Sequence, residues 1–184
     1  MPSYTPENQK NIEYMILLLL GSSKEKRLSV LHIEKELFIL QRASNQMNEL
    51  YLFIEHYRGP YSKEIYDAII SPMFLEDVWD YEESEDDLSG GYVELNEQGM
   101  EEFKKLLSAI TSKKNEKLIE ILAAMDIIHD LYDRMSPREL LYVVYTSPEY
   151  KNYIRKSIVY DEVVTDRTKD LLRKKMSPTA DSGA

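Results

Sequence analysis

The 184-residue sequence contains no cysteine. Disulfides, thiolate zinc sites and cysteine nucleophiles are therefore all excluded. Long apolar runs are missing too: the longest, Met15 to Leu20, ends at Gly21, far short of the roughly 20 residues a membrane-spanning helix needs. The opening MPSYTPENQK has neither the basic start nor the apolar stretch of a secretory signal, so a cytoplasmic location with no membrane partner is expected. No G-x-S-x-G, P-loop, G-x-G-x-x-G or H-E-x-x-H pattern occurs. An enzyme is not expected, and no catalytic residue, cofactor or metal is assigned.

Positive charge is absent from one long stretch. Between Glu64 and Phe103 there is no Lys or Arg, while Glu76, Asp77, Asp80, Glu82, Glu83, Glu85, Asp86, Asp87, Glu94 and Glu97 all fall there. Lys151, Arg155, Lys156, Arg167, Lys169, Arg173, Lys174 and Lys175 crowd the C-terminal part instead. The net charge of −10 argues against indiscriminate phosphate binding, which draws on Lys and Arg displacing counterions. The uneven distribution favours self-association, acidic middle against basic end, and a homodimer is expected.

Helix signals are plentiful. Thr5-Pro6-Glu7 opens a helix expected to run from about 5 to 20, with Gly21 as its stop. Ser29 caps a second reaching about Arg42, after an exposed connector SSKEKR and before a polar loop ASNQMNE. Residues 51–57 read as a short strand, Gly59-Pro60 as a break, and 62–71 as a third helix capped by Ser62. The alternating VWDYEE and YVEL segments around Gly90-Gly91 form a β-hairpin. Asn96 caps the next helix, and Leu118, Ile121, Leu122, Met125, Ile128, Leu131 and Tyr132 give a near-heptad stripe for a partner helix or dimer seam. Ser136-Pro137-Arg138-Glu139 and Ser147-Pro148-Glu149 start two more helices, and one last helix follows Val159.

The order helix, helix, strand, turn, helix, hairpin, helix is that of a winged helix. The runs IEKELFIL, FIEHYRGPYSKEIYDAI, VWDY…GYVELNEQGMEEF and SPRELLYVVYTSPEY resemble archaeal winged-helix proteins of the "GPYS" type and the related Panacea domain of phage-associated antitoxins. The resemblance covers roughly residues 25–150, most specifically Tyr57, Gly59, Pro60, Tyr61 and Ser62. The expected fold is mainly α with a small β-hairpin: a winged helix-turn-helix over 1–112, a C-terminal helical region over 113–176 and a disordered tail over 177–184. Gly59, Pro60 and Tyr61 are the structural turn aiming the third helix. Arg58, Ser62, Lys63 and Tyr66 are the candidate DNA contacts of a dimeric transcription regulator.

The acidic hairpin opposes that reading, because a wing carrying Glu82, Glu83, Glu85, Asp86 and Asp87 repels phosphates. The alternative is an antitoxin-like protein-interaction module that binds a basic partner protein through its acidic hairpin. A ligand-sensing role between the two helical halves is a third class. Among the histidines, His32 with Glu36 reads as a helix-surface pair, His129 with Asp126, Asp130 and Asp133 as an exposed charged face, and His56 as a half-buried packing residue. Tyr142, Tyr145, Tyr150, Tyr153 and Tyr160 stand beside the basic C-terminal residues, where an interface or a core would use them.

Overall fold

The computed structural model describes residues 5–43, 52–84 and 88–177. Most of the expected 43–49 loop, the acids Glu85, Asp86 and Asp87, and the tail from 178 lie outside the described residues. The chain is mainly helical with a small antiparallel sheet. Helix α1 (Pro6–Ser22) is capped by Thr5, whose hydroxyl accepts from the Asn8 N–H. Ile12 and Met15 to Leu20 are all buried, so the C-terminal half of α1 is enclosed on every side and forms the axis of the core, while Pro6, Glu7, Lys10 and Asn11 are exposed. It does not stop at Gly21. A Cβ there would come within 2.2 Å of the Phe103 ring, so the glycine makes room for a neighbouring helix.

Strand β1 (Arg27–Ser29) leads directly into α2 (Val30–Ala43), and the Ser29 hydroxyl accepts from the His32 N–H as the expected cap. The SSKEKR connector is thus partly strand: Arg27, Leu28 and Ser29 pair with Glu94, Val93 and Tyr92. A second hairpin, β2 (Ile54–His56) and β3 (Gly59–Tyr61), comes next, then α3 (Lys63–Ile70). Gly-Pro-Tyr is therefore a strand rather than the turn, which falls at Tyr57-Arg58. The segment after α3 is fixed by the buried Glu13 carboxylate, which accepts from the backbone N–H groups of Met73, Phe74 and Leu75 at 2.8 Å each. The expected hairpin is present as β4 (Trp79–Glu82) and β5 (Tyr92–Leu95), and the sheet order is β1-β5-β4.

Helix α4 (Glu97–Ser112) is capped by Asn96, which accepts from the Gly99 N–H at 3.0 Å. Helix α5 (Glu116–Tyr132) buries Ile121, Met125 and Ile128 in the same core as α1 and α2, which accounts for most of its apolar stripe. Helix α6 (Pro137–Thr146) carries the expected capping box between Ser136 and Glu139. Ser147-Pro148-Glu149 opens a 3-10 helix (Pro148–Tyr153) in place of an α-helix. The expected last helix is two, α7 (Tyr160–Val163) and α8 (Asp166–Met176), split where Thr165 leaves helical geometry to cap α8. Leu140, Leu141, Val144, Tyr145 and Val163 form a second apolar cluster that closes on Leu31 of α2.

Candidate interaction site

The β2–β3 hairpin lies across the first turns of α2. Gly59 has φ +84, a left-handed value that favours glycine, and a Cβ there would stand 3.0 Å from the Tyr145 ring. The Pro60 carbonyl accepts from Lys35 Nζ at 2.6 Å, and the Tyr61 ring stacks on His56 with centroids 4.5 Å apart. Burial and the nearby Glu34 and Asp67 carboxylates push the Tyr61 phenol up to about 12. Burial, with Lys35, Arg58 and Lys156 nearby, lowers the basicity of half-buried His56.

Beneath the hairpin is a cavity of about 440 Å³, walled by Tyr61, Tyr66 and Tyr81 and bordered by Glu34, Arg58 and Glu83. Lys35 and Glu34 are both buried, and Lys35 Nζ lies 3.2 Å from Glu34 Oε2. Burial drives the Lys35 ammonium below its ordinary range and the Glu34 carboxyl above its own, with each partner's charge opposing the shift. Two acids and two bases cancel around this space. The cavity's net charge thus favours neither a phosphate nor a free cation.

The four candidate DNA contacts do not form a basic reading surface. Ser62 is fully buried, and its hydroxyl donates to Glu64 at 2.8 Å instead of capping α3. Tyr66 and Arg58 face the cavity. Lys63 is exposed but paired with Asp67 one turn on. The start of α3 therefore carries Glu64 and Asp67 against a single lysine.

The hairpin is more acidic still. Alternation along β4 and β5 turns Trp79, Tyr81, Val93 and Leu95 inward and leaves Asp80, Glu82 and Glu94 on the open face. Asp80 stands directly opposite Glu94. Arg27, from β1, answers two of these acids: it donates to Glu82 at 3.0 Å, lies 3.8 Å from Glu94 and covers the Tyr92 ring. Two carboxylates thus share one guanidinium, with Asp80 beside them on the same face.

Two of the histidines lie where the sequence did not place them. His32 is buried rather than on the surface, its ring nitrogens 2.7 Å from Ser29 Oγ and 3.0 Å from the Met135 carbonyl. His129 is likewise buried, with Nδ1 2.8 Å from Asp133 Oδ1 and 3.2 Å from Glu36 Oε2. Its Nε2 donates to the Leu19 carbonyl at 2.9 Å. Burial works against a charged ring here, but the Asp133 and Glu36 carboxylates outweigh it and push the imidazolium up to about 10. The tyrosines also serve packing: Tyr150 and Tyr153 set their edges against Phe38 at 4.9 Å, and Tyr145 is buried against Tyr160. Comparison of the chain with protein-family models, curated proteins and solved structures gives no match.

Proposed function

We propose that the chain is a protein-interaction module on a winged-helix scaffold, and that β4, β5 and the start of α3 present an acidic surface to a basic partner protein. The scaffold reading is supported by the succession of α1, β1, α2, α3 and the β4–β5 hairpin, with β1 joining the hairpin as the third strand. The interaction reading is carried by one observation: Asp80 opposite Glu94 on an exposed sheet face. Like charges placed directly across a ladder destabilise it, by a few tenths of a kcal/mol when exposed. A face that keeps such a pair, with Glu82 beside it, is complementary to positive charge and hostile to phosphate.

A nuclease-treated affinity capture from the source cells tests this, comparing wild type with Asp80→Asn/Glu94→Gln. The expected result is a basic protein at fixed stoichiometry on the wild type, lost from the double variant, which itself unfolds at an equal or slightly higher temperature. A partner retained equally by both proteins would contradict the surface assignment.

A DNA-reading dimer is the second reading, favoured by a different element. Helix α8 presents Arg167, Lys169, Arg173 and Lys174 at the surface against only Asp166 and Asp170, a charge balance suited to phosphates. In that case a retained duplex would lose affinity steeply with salt, and Asp80→Asn/Glu94→Gln would strengthen its binding.

A further inference from the structure

We propose that Glu36, His129 and Asp133 form a binding site for a divalent transition-metal ion, Zn2+ being the best match to their donor set. The starting point is a buried carboxylate with one oxygen left unpaired among the described residues. Glu36 is 0% exposed; among the described residues its Oε1 has no hydrogen-bond partner, and its Oε2 lies 3.2 Å from His129 Nδ1. The same Nδ1 lies closer to Asp133 Oδ1, at 2.8 Å. One ring N–H thus serves two carboxylates, one of them fully enclosed. A buried carboxylate satisfied on one oxygen alone is costly to keep ionised.

The geometry around the three side chains is that of a ligand set. One donor atom from each lies within 4.8 Å of the others, a spacing that a single ion about 2.0–2.2 Å from each can bridge with modest side-chain adjustment. The imidazole is already oriented for coordination: Nε2–H donates to the Leu19 carbonyl and lies 3.1 Å from Ser22 Oγ, leaving Nδ1 facing the carboxylates. Metal-binding histidines are ordinarily held by such an outer hydrogen bond. When the ion binds, Nδ1 gives up its proton to solvent and its lone pair to the metal. Two carboxylates and a dication then sum to zero, where two carboxylates and an imidazolium do not. One imidazole and two carboxylates suit zinc and its first-row neighbours, whereas calcium requires six to eight oxygens.

Glu36 comes from α2, His129 from α5 and Asp133 from the C-terminal cap of α5, and the outer hydrogen bond comes from the end of α1. An ion here therefore ties three core helices together. Asp133, the least buried ligand, marks the side from which it enters.

The test uses chelator-stripped, full-length protein titrated with ZnCl2, followed by gel filtration and elemental analysis, with CoCl2 as a spectroscopic probe. The expected results are one equivalent of zinc retained, a higher unfolding temperature, visible Co2+ absorption bands of a low-coordinate site, and no such response to MgCl2 or CaCl2. Glu36→Gln should abolish all three, each response being read against the metal-free form of the same variant. If that variant does not fold, Asp133→Asn, at the more open edge, is read in its place. No retained zinc in the wild type, or equal retention in wild type and variant, overturns the proposal and leaves the three groups as a proton-bridged ion pair.

Discussion

Lys35 shows how much one side chain can hold in this protein. Its ammonium joins Glu34 to the Pro60 carbonyl, so a single buried cation fastens the β2–β3 hairpin to α2. Lys35→Ala would leave the Glu34 carboxylate buried without its main partner, at a cost of about 3–5 kcal/mol. Glu34→Gln/Lys35→Met, which removes both charges and keeps the volume, is expected to recover most of that loss. Urea denaturation of the two variants decides it, and a Lys35→Ala loss below about 1 kcal/mol would show that the pair does not anchor the hairpin. Such residues were opaque in the sequence for a definite reason. The caps at Thr5, Asn96 and Ser136 were legible because each bonds a backbone N–H three residues away. Glu36 and His129 meet only after α2 and α5 pack, and no local spacing announces it. Gly21 was misleading in the opposite sense: locally it is a helix stop, but the ring of Phe103 requires its missing side chain.

Among the elements, the start of α6 gives the clearest pH signature. Burial alone would raise the Glu139 pKa, but Lys175 at 2.6 Å and the Ser136 N–H and O–H outweigh it and hold the carboxyl below its ordinary range. A depressed folded pKa means that the stabilisation is complete above the unfolded value of about 4.3 and disappears as pH falls through the folded one. Glu139→Gln is therefore expected to cost about 1–2 kcal/mol at neutral pH. The gap to wild type should hold from pH 7 to about 5 and close below about 4, as followed by urea denaturation across that range. A gap independent of pH would mean that shape, not charge, sustains the box. Elements bounded by strong local signals were legible, as with α1, α4, α6 and the β4–β5 hairpin. Strand β1 was not, because three residues acquire strand geometry only from pairing with β5. The Gly-Pro-Tyr segment was read as a break for a similar reason. Proline ends a helix, but across from Glu55 it sits without difficulty in a two-stranded ribbon.

At the scale of the whole molecule, charge is segregated. The acids of the sheet face and of α3 lie on the N-terminal elements and the cations of α8 on the C-terminal ones, a polarity visible in the sequence before any fold is known. What the sequence left undecided was whether Arg58, Ser62, Lys63 and Tyr66 converge on a partner. In the structure Ser62 is buried, Arg58 and Tyr66 face a cavity, and Lys63 is paired with Asp67. The proposed function follows from that disposition, and its central claim is that the surface around α3 and the hairpin repels phosphate. Fluorescence anisotropy of a labelled random-sequence duplex, titrated with the protein at low and then physiological salt, tests it most directly. The account predicts no saturable binding at either salt concentration. Saturable binding that weakens steeply with salt and is lost in Arg58→Ala/Lys63→Ala would contradict it and restore α3 as a DNA-reading helix.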